Sequence, residues 1–177
     1  MLRASAEANG LAARIDAVQA GLADSGGAGQ LYLSRDNLGD HQIFEAETGR
    51  DSASIELLNG ADYLGSLVTR LDLVKVDTQG SEYGVIAGLM PLLQSLPSVP
   101  ELIIELTPLS LRQCGSSGRQ LIELLAELGQ PFHIVDHIEH RLVSSSADEL
   151  ALWCDNVDAV PGDAGFMNIL VGKAPAG

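Results

Sequence analysis

The sequence is poor in aromatic residues and in positive charge. Aromatic side chains make up only 4% of its 177 residues, so aliphatic side chains and alanine must fill most of the core. Lysine and arginine number 10 against 24 aspartates and glutamates, which gives a net charge of −14. Nucleic-acid backbones and anionic membrane surfaces are bound through lysine and arginine. The charge balance therefore argues against nucleic acid and membranes as partners, and we interpret it as a contribution to solubility.

Cysteine is also scarce, and long apolar runs are missing. Cys114 and Cys154 lie far apart in the chain and form neither a CxxC pair nor a disulfide framework. No run approaches the roughly 18 apolar residues of a membrane helix. The first nine residues, which include Arg3 and Glu7, lack the apolar centre of a signal peptide. We therefore expect a soluble, cytoplasmic protein with free thiols.

What is present is an alternation of apolar strands with amphipathic helices. The pattern predicts strands at 14–22, 30–34, 54–58, 72–76, 101–106, 132–135 and 166–171, and helices at 2–10, 61–67, 81–93 and 119–128. Residues 141–153 are ambiguous. Such alternation is typical of a doubly wound α/β domain with a mostly parallel sheet. The length of the chain suits a single domain over residues 1–177.

The most informative segment is the strand that ends at Asp77 and the turn that follows it. An apolar run delivers this carboxylate to the carboxyl end of a buried strand, and a helix with Ser81 as its expected N-cap begins after the turn. In open α/β sheets, ligands bind outside the carboxyl ends of the strands. Alternatively, Asp77 and Ser81 serve only the turn and the helix cap, for which both residue types are well suited.

Residues 72–82, DLVKVDTQGSE, resemble the signature of the FkbM family of S-adenosylmethionine-dependent methyltransferases. Most members of that family methylate hydroxyl groups on sugars and natural products. The similarity extends upstream through residues 54–58 and downstream through residues 102–106, and it spans about residues 2 to 172. The resemblance implies a class I, Rossmann-like fold, S-adenosylmethionine as cofactor, and a small-molecule or glycan acceptor.

The resemblance also suggests catalytic residues. Asp77 could orient or deprotonate an acceptor hydroxyl. Glu82 belongs to the same signature, although an acidic residue at the start of a helix also complements the helix dipole. His41 ends a segment, Asn37 to His41, that is similar to a family loop of the form N-x-G-x-H. It could act as a base or a substrate ligand, and the alternative is a solvated loop histidine.

Two residues are candidates for contact with the cofactor. Asp24 lies at a corner that often contacts the adenine amino group in class I methyltransferases, and Asn37 belongs to the family loop. For Asp24 the alternative is turn formation with Ser25 and Gly26. A cluster of potential metal ligands also occurs, at His133, Asp136, His137, Glu139 and His140. No matching ligand set completes it, so we expect no metal.

The glycine turn that binds the cofactor in class I methyltransferases is missing from the sequence. These enzymes use an acidic-Gly-x-Gly turn after the first strand and a second acidic residue that holds the ribose. No such unit precedes residue 2, and Gly26 to Gly29 are typical of a loop. We therefore expect a fold that is incomplete at its amino-terminal end and binds S-adenosylmethionine weakly.

Two alternatives to methyl transfer follow from the sequence. The first is a non-catalytic or truncated methyltransferase-like interaction module. The second is phosphoryl transfer of the haloacid dehalogenase type, which needs a second aspartate where Gln79 stands.

The missing strands would also expose an edge of the strand at 71–76. The amino-terminal strand could pair with that edge, two chains could associate through it, or the chain could be unstable; we favour association into a homo-oligomer.

Overall fold

The computed structural model describes residues 2–34, 41–45 and 49–174. Its strands form two separate sheets. The strands are β1 (Gly21–Ala23), β2 (Gly27–Tyr32), β3 (Ser52–Asn59), β4 (Leu73–Val76), β5 (Glu101–Leu106), β6 (Phe132–Asp136), β7 (Arg141–Ser145) and β8 (Met167–Val171). The helices are α1 (Leu2–Ala8), α2 (Gly60–Leu64), α3 (Glu82–Ser95), α4 (Pro108–Gln113), α5 (Gly118–Ala126) and α6 (Ala147–Asp158). No described helix is long and apolar enough to cross a membrane.

The smaller sheet has three strands in the order β1-β3-β2. β1 runs parallel to β3, and β2 runs antiparallel to it. The prediction of a strand at 14–22 is wrong, because β1 begins only at Gly21. Ile15 and Val18 are 39% and 48% exposed and have no partner strand. The Arg3 guanidinium instead holds this segment against α1, donating to the Ala17 carbonyl oxygen at 3.0 and 2.8 Å.

The larger sheet has five strands in the order β4-β5-β8-β6-β7. β4 and β5 are parallel, whereas β8 lies antiparallel between β5 and β6, and β7 pairs antiparallel with β6. The prediction of a mostly parallel sheet is therefore corrected to a mixed sheet. The reason lies in the ambiguous segment at 141–153, which contains β7 and most of α6. A tight turn at 137–140 returns the chain directly, and only antiparallel strands can be joined so briefly.

The core lies on one face of the larger sheet. Leu102, Ile104 and Leu106 alternate along β5, and none of them has exposed surface. They pack with apolar residues of α3, α5 and α6 in one cluster. The opposite face is more open, with Leu73 at 52% exposure. Among the described residues no strand pairs with the outer edge of β4. Pairing of the amino-terminal strand with that edge, one of the three alternatives, does not occur, because β1 pairs with β3.

Helix α3 packs in the core of the larger sheet and also contacts β1 and β3 of the smaller sheet. A Cβ atom placed on Gly88 would lie 2.1 Å from the Ala23 carbonyl oxygen, so the end of β1 rests directly on the helix backbone. Asn59 fixes the same corner: its Oδ1 caps α2 by accepting from the Asp62 N–H at 3.0 Å, and its Nδ2 donates to the Asp24 carbonyl oxygen at 2.7 Å. The end of β1 therefore lies close to the amino-terminal half of α3.

Candidate functional site

The turn between β4 and α3 has an unusual backbone. Gln79 and Gly80 have φ angles of 54° and 111°, in the left-handed region that favours glycine. A Cβ atom on Gly80 would lie 2.5 Å from the Ser110 carbonyl oxygen and 2.9 Å from Cε1 of Phe44. Only glycine fits at position 80, and the turn is held between α4 and the segment at 41–45.

Glu82 stabilises this turn from within. It is 1% exposed, and its carboxylate accepts from the Thr78 N–H at 2.8 Å, the Thr78 hydroxyl at 3.1 Å and the Gly80 N–H at 2.9 Å. Ser81 occupies the N-cap position of α3, but its side chain makes no capping bond and donates to the Thr78 carbonyl oxygen at 3.3 Å. The carboxylate of Glu82 thus positions the turn, and a catalytic role for it remains a prediction.

Asp77 and Glu105 meet at the carboxyl ends of two parallel strands. Val76 pairs with Ile104, so the next residue on each strand, Asp77 on one and Glu105 on the other, lies at the same edge of the sheet. Lys75 Nζ donates to Asp77 at 2.6 Å. Gln79 Nε2 donates to Glu105 at 2.7 Å and to Asp77 at 3.4 Å. The Gln79 amide therefore bridges the two carboxyl groups.

The surroundings move the pKa values of the two carboxyl groups in opposite directions. The hydrogen bond from Lys75 is the main cause that lowers the pKa of Asp77. Burial is the main cause that raises the pKa of Glu105, and the neighbouring charge of Asp77 raises it further. Two carboxyl groups with separated pKa values can divide charge stabilisation and proton transfer between them. Sequence reasoning missed Glu105, although its place at the end of the strand after Asp77 was a usable signal.

Asp24 lies at the end of β1 and lines a cavity of about 360 Å³. Its side chain is exposed and accepts from the Ser25 hydroxyl at 3.1 Å. The cavity also contacts the Gly80–Ser81 turn, Tyr83 and the stretch from Cys114 to Ser116. The Asp24 carboxylate is thus available to a ligand in this cavity, whereas the alternative role in a turn is also visible in its bond with Ser25.

His41 does not join the carboxyl pair in the described structure. Nδ1 of His41 accepts from the Ser34 N–H at 3.0 Å. Phe44, three residues on, lies close to Gly80, since a Cβ atom there would come within 2.9 Å of its Cε1. Asn37 lies outside the described residues. The proposed roles of both residues remain predictions.

The histidines and carboxylates at 133–140 do not form a metal centre. Within residues 2–34, 41–45 and 49–174, no group of three such side chains is arranged to hold a metal ion. Asp136 instead accepts from the Ile138 and Glu139 N–H groups, both at 3.0 Å, and so shapes the turn between β6 and β7.

Comparison with known proteins identifies the family. No curated protein and no solved structure matches the chain significantly. A family model described as the methyltransferase FkbM domain matches residues 8–132. The match extends from the last residue of α1 to the first residue of β6 and includes Asp24, Asp77 and Glu105; it is shorter than the expected range of 2 to 172. Because the match covers more than half of the chain, the protein belongs to the FkbM methyltransferase family.

Proposed function

We propose that the protein transfers a methyl group from S-adenosylmethionine to a hydroxyl group of a small-molecule or glycan acceptor. The observation that carries this proposal is the meeting of Asp77 and Glu105 at the carboxyl ends of β4 and β5, inside the part of the chain that matches the family. Ligands of open α/β sheets bind at that edge. The hydroxyl acceptor and the cofactor are inferred from the family resemblance.

The carboxyl pair suits the proton transfer that such a reaction needs. Bound S-adenosylmethionine would supply an electrophilic methyl group. The acceptor oxygen loses its proton as it attacks, and a carboxylate within reach can orient the hydroxyl group and take that proton. Asp77 is held ionised by Lys75, and its side chain is 38% exposed, so a ligand can reach it. The carboxyl groups therefore support acceptor positioning and base catalysis.

The described residues fit the nucleoside end of the cofactor. The Asp24 carboxylate can accept from an amino group, and Leu57 and Ile43 provide apolar walls in the same cavity. The methionine end would need a strand, glycine turn and helix of the class I type, and the described elements do not include such a unit. Asp24 is accordingly the residue we expect to contact the cofactor.

Replacement of Asp77 tests the proposal. We expect Asp77→Asn to leave the fold intact and to lower methyl transfer about 100-fold or more, because the Asp77 carboxylate orients the acceptor hydroxyl group and a small misplacement of a reactant can cost about that much. Transfer of a labelled methyl group to a panel of hydroxylated acceptors, including methyl glycosides, is the measurement. Asp72→Asn is the matched control, since Asp72 lies on the same segment and is 75% exposed in its pair with Arg70.

Two results would count against the proposal. Turnover of Asp77→Asn within a few-fold of the parent would make Asp77 structural. The alternative function, a non-catalytic interaction module, predicts no methyl transfer by the parent and no heat of binding with S-adenosylmethionine in calorimetry.

A further inference from the structure

The two carboxyl groups of the site differ in the cations that they contact. Asp77 receives a direct hydrogen bond from Lys75. Glu105 is half-buried, and its hydrogen-bond donor is the neutral amide of Gln79. In the part of the chain that the structure describes, no lysine, arginine or histidine pairs with Glu105. The ion pair makes Asp77 a weak base, whereas Glu105 lacks such compensation.

The groups that face Glu105 come from three elements. Asp77 directly follows β4, its partner Lys75 belongs to β4, and Glu82 belongs to α3. On β8, the residue paired with Glu105 is the uncharged Asn168. The charges of Asp77 and Glu82 both raise the pKa of Glu105, after burial, and the Gln79 hydrogen bond lowers it. A general base is most effective when its pKa approaches the working pH.

Gln79 adopts a backbone conformation that costs free energy. Its φ of 54° lies in the left-handed region, where a residue other than glycine is strained by about 1–3 kcal/mol. Strain of this kind is tolerated where surrounding contacts fix the conformation. Here the left-handed turn aims the Gln79 amide at both carboxyl groups, at 2.7 Å from Glu105 and 3.4 Å from Asp77.

We propose, on the basis of the proposed function, that Glu105 accepts the proton of the acceptor hydroxyl, with Gln79 as its positioning residue and ionised Asp77 orienting the hydroxyl group. In this step the acceptor O–H bond breaks and its proton moves to the Glu105 carboxylate. Bound S-adenosylmethionine would supply the methyl carbon to which the acceptor oxygen bonds, and its sulfur would keep the electron pair of the broken carbon–sulfur bond. The positive charge of the sulfonium co-substrate and the negative charge of Glu105 are both neutralised, and Glu105 later returns the proton to solvent.

A carboxyl titration followed by ¹³C NMR tests the arrangement without cofactor. The Glu105 signal is assigned by its loss in Glu105→Gln. Asp77→Asn removes a negative charge, so we expect the midpoint of Glu105 to fall. Gln79→Gly removes a stabilising donor and suits the left-handed backbone, so we expect the midpoint to rise. Asp72→Asn, at the other end of the segment, should leave the midpoint unchanged. If Glu105 titrates at the midpoint of an ordinary glutamate and Asp77→Asn leaves that midpoint unchanged, the proposed interaction between the two carboxyl groups is contradicted.

Kinetics then separates this inference from the function on which it rests. We expect Glu105→Gln to lower kcat about 100-fold or more and to remove the acidic limb of the pH–rate profile, and Asp77→Asn to move that limb to lower pH. If the parent enzyme transfers methyl groups and Glu105→Gln keeps both its rate and its acidic limb, the proton-acceptor assignment alone fails. If the parent transfers none to any hydroxyl acceptor, both proposals fail.

Discussion

In the larger sheet, β5 contributes three residues with no exposed surface, whereas in the smaller sheet the most buried strand residue is Ala23, at 9% exposure. In the smaller sheet, the side chain of Leu57 lies across two glycines: Cβ atoms on Gly21 and Gly29 would come within 3.0 and 2.9 Å of it. One sheet thus has an extended apolar core, and the other depends on glycine and on its contact with α3. The turn between β4 and α3 and the end of β1 line the same cavity.

The largest effect is expected from the core of the larger sheet. Ile104→Ala should lower the free energy of unfolding by about 2–5 kcal/mol, because it removes a fully buried side chain and leaves a cavity. The matched change in the smaller sheet is Ile55→Ala, whose side chain is half-buried, so the loss should be roughly half as large or less. Urea denaturation of both variants measures the difference. Equal losses would show that the sheets contribute alike.

A smaller effect is expected at the turn between β4 and α3. Glu82→Gln places an amide against N–H donors that now bind a carboxylate, and it should cost about 1.5–3 kcal/mol. Glu123→Gln is the control, since Glu123 is a surface residue with a 61% exposed side chain. Thermal unfolding compares the two variants. A destabilisation no larger than that of the control would mean that the buried carboxylate does not hold the turn.

The smallest effect should be confined to the smaller sheet. Gly88→Ala would place its Cβ 2.1 Å from the Ala23 carbonyl oxygen and should loosen β1 and β3 at a cost of about 1–3 kcal/mol. Hydrogen exchange should become faster in the smaller sheet, while the amides of β5 keep their protection. Gly84→Ala is the matched control one turn earlier, where the nearest atom is 4.0 Å away. If hydrogen exchange in the smaller sheet of Gly88→Ala is unchanged or slower, the role of this contact is contradicted.

The apolar pattern predicted the buried strands better than their pairing. β5 was predicted at its observed bounds, because every second residue from Leu102 to Leu106 is buried. The direction of β8 carries no such signal, since an apolar strand reads alike in a parallel and an antiparallel pair. The turn before β7 was also hidden, because its left-handed residue is His140 rather than glycine.

The site was predictable in part for a related reason. Asp77 stands in a local motif, and its position at the end of a strand follows from the sequence around it. Its connection with Glu105 depends on the register between β4 and β5 and on the left-handed φ of Gln79, which glutamine rarely adopts. Neither property can be read from a short segment. The position of Glu105 at the end of the next strand was a usable signal, but its hydrogen-bonded connection with Asp77 through Gln79 required the structure.

The position of β8 in the larger sheet has a consequence for how the chain is synthesised. β5 can pair with β4 as soon as both have left the ribosome, but its other neighbour is β8, whose residues 167–171 are translated some sixty residues later. Until β8 is made, the edge of β5 that faces away from β4 and the edge of β6 that faces away from β7 remain unpaired. Such edges are prone to aggregation. The nascent protein therefore carries β5, with its three fully buried residues, paired on one side only while the residues up to β8 are added.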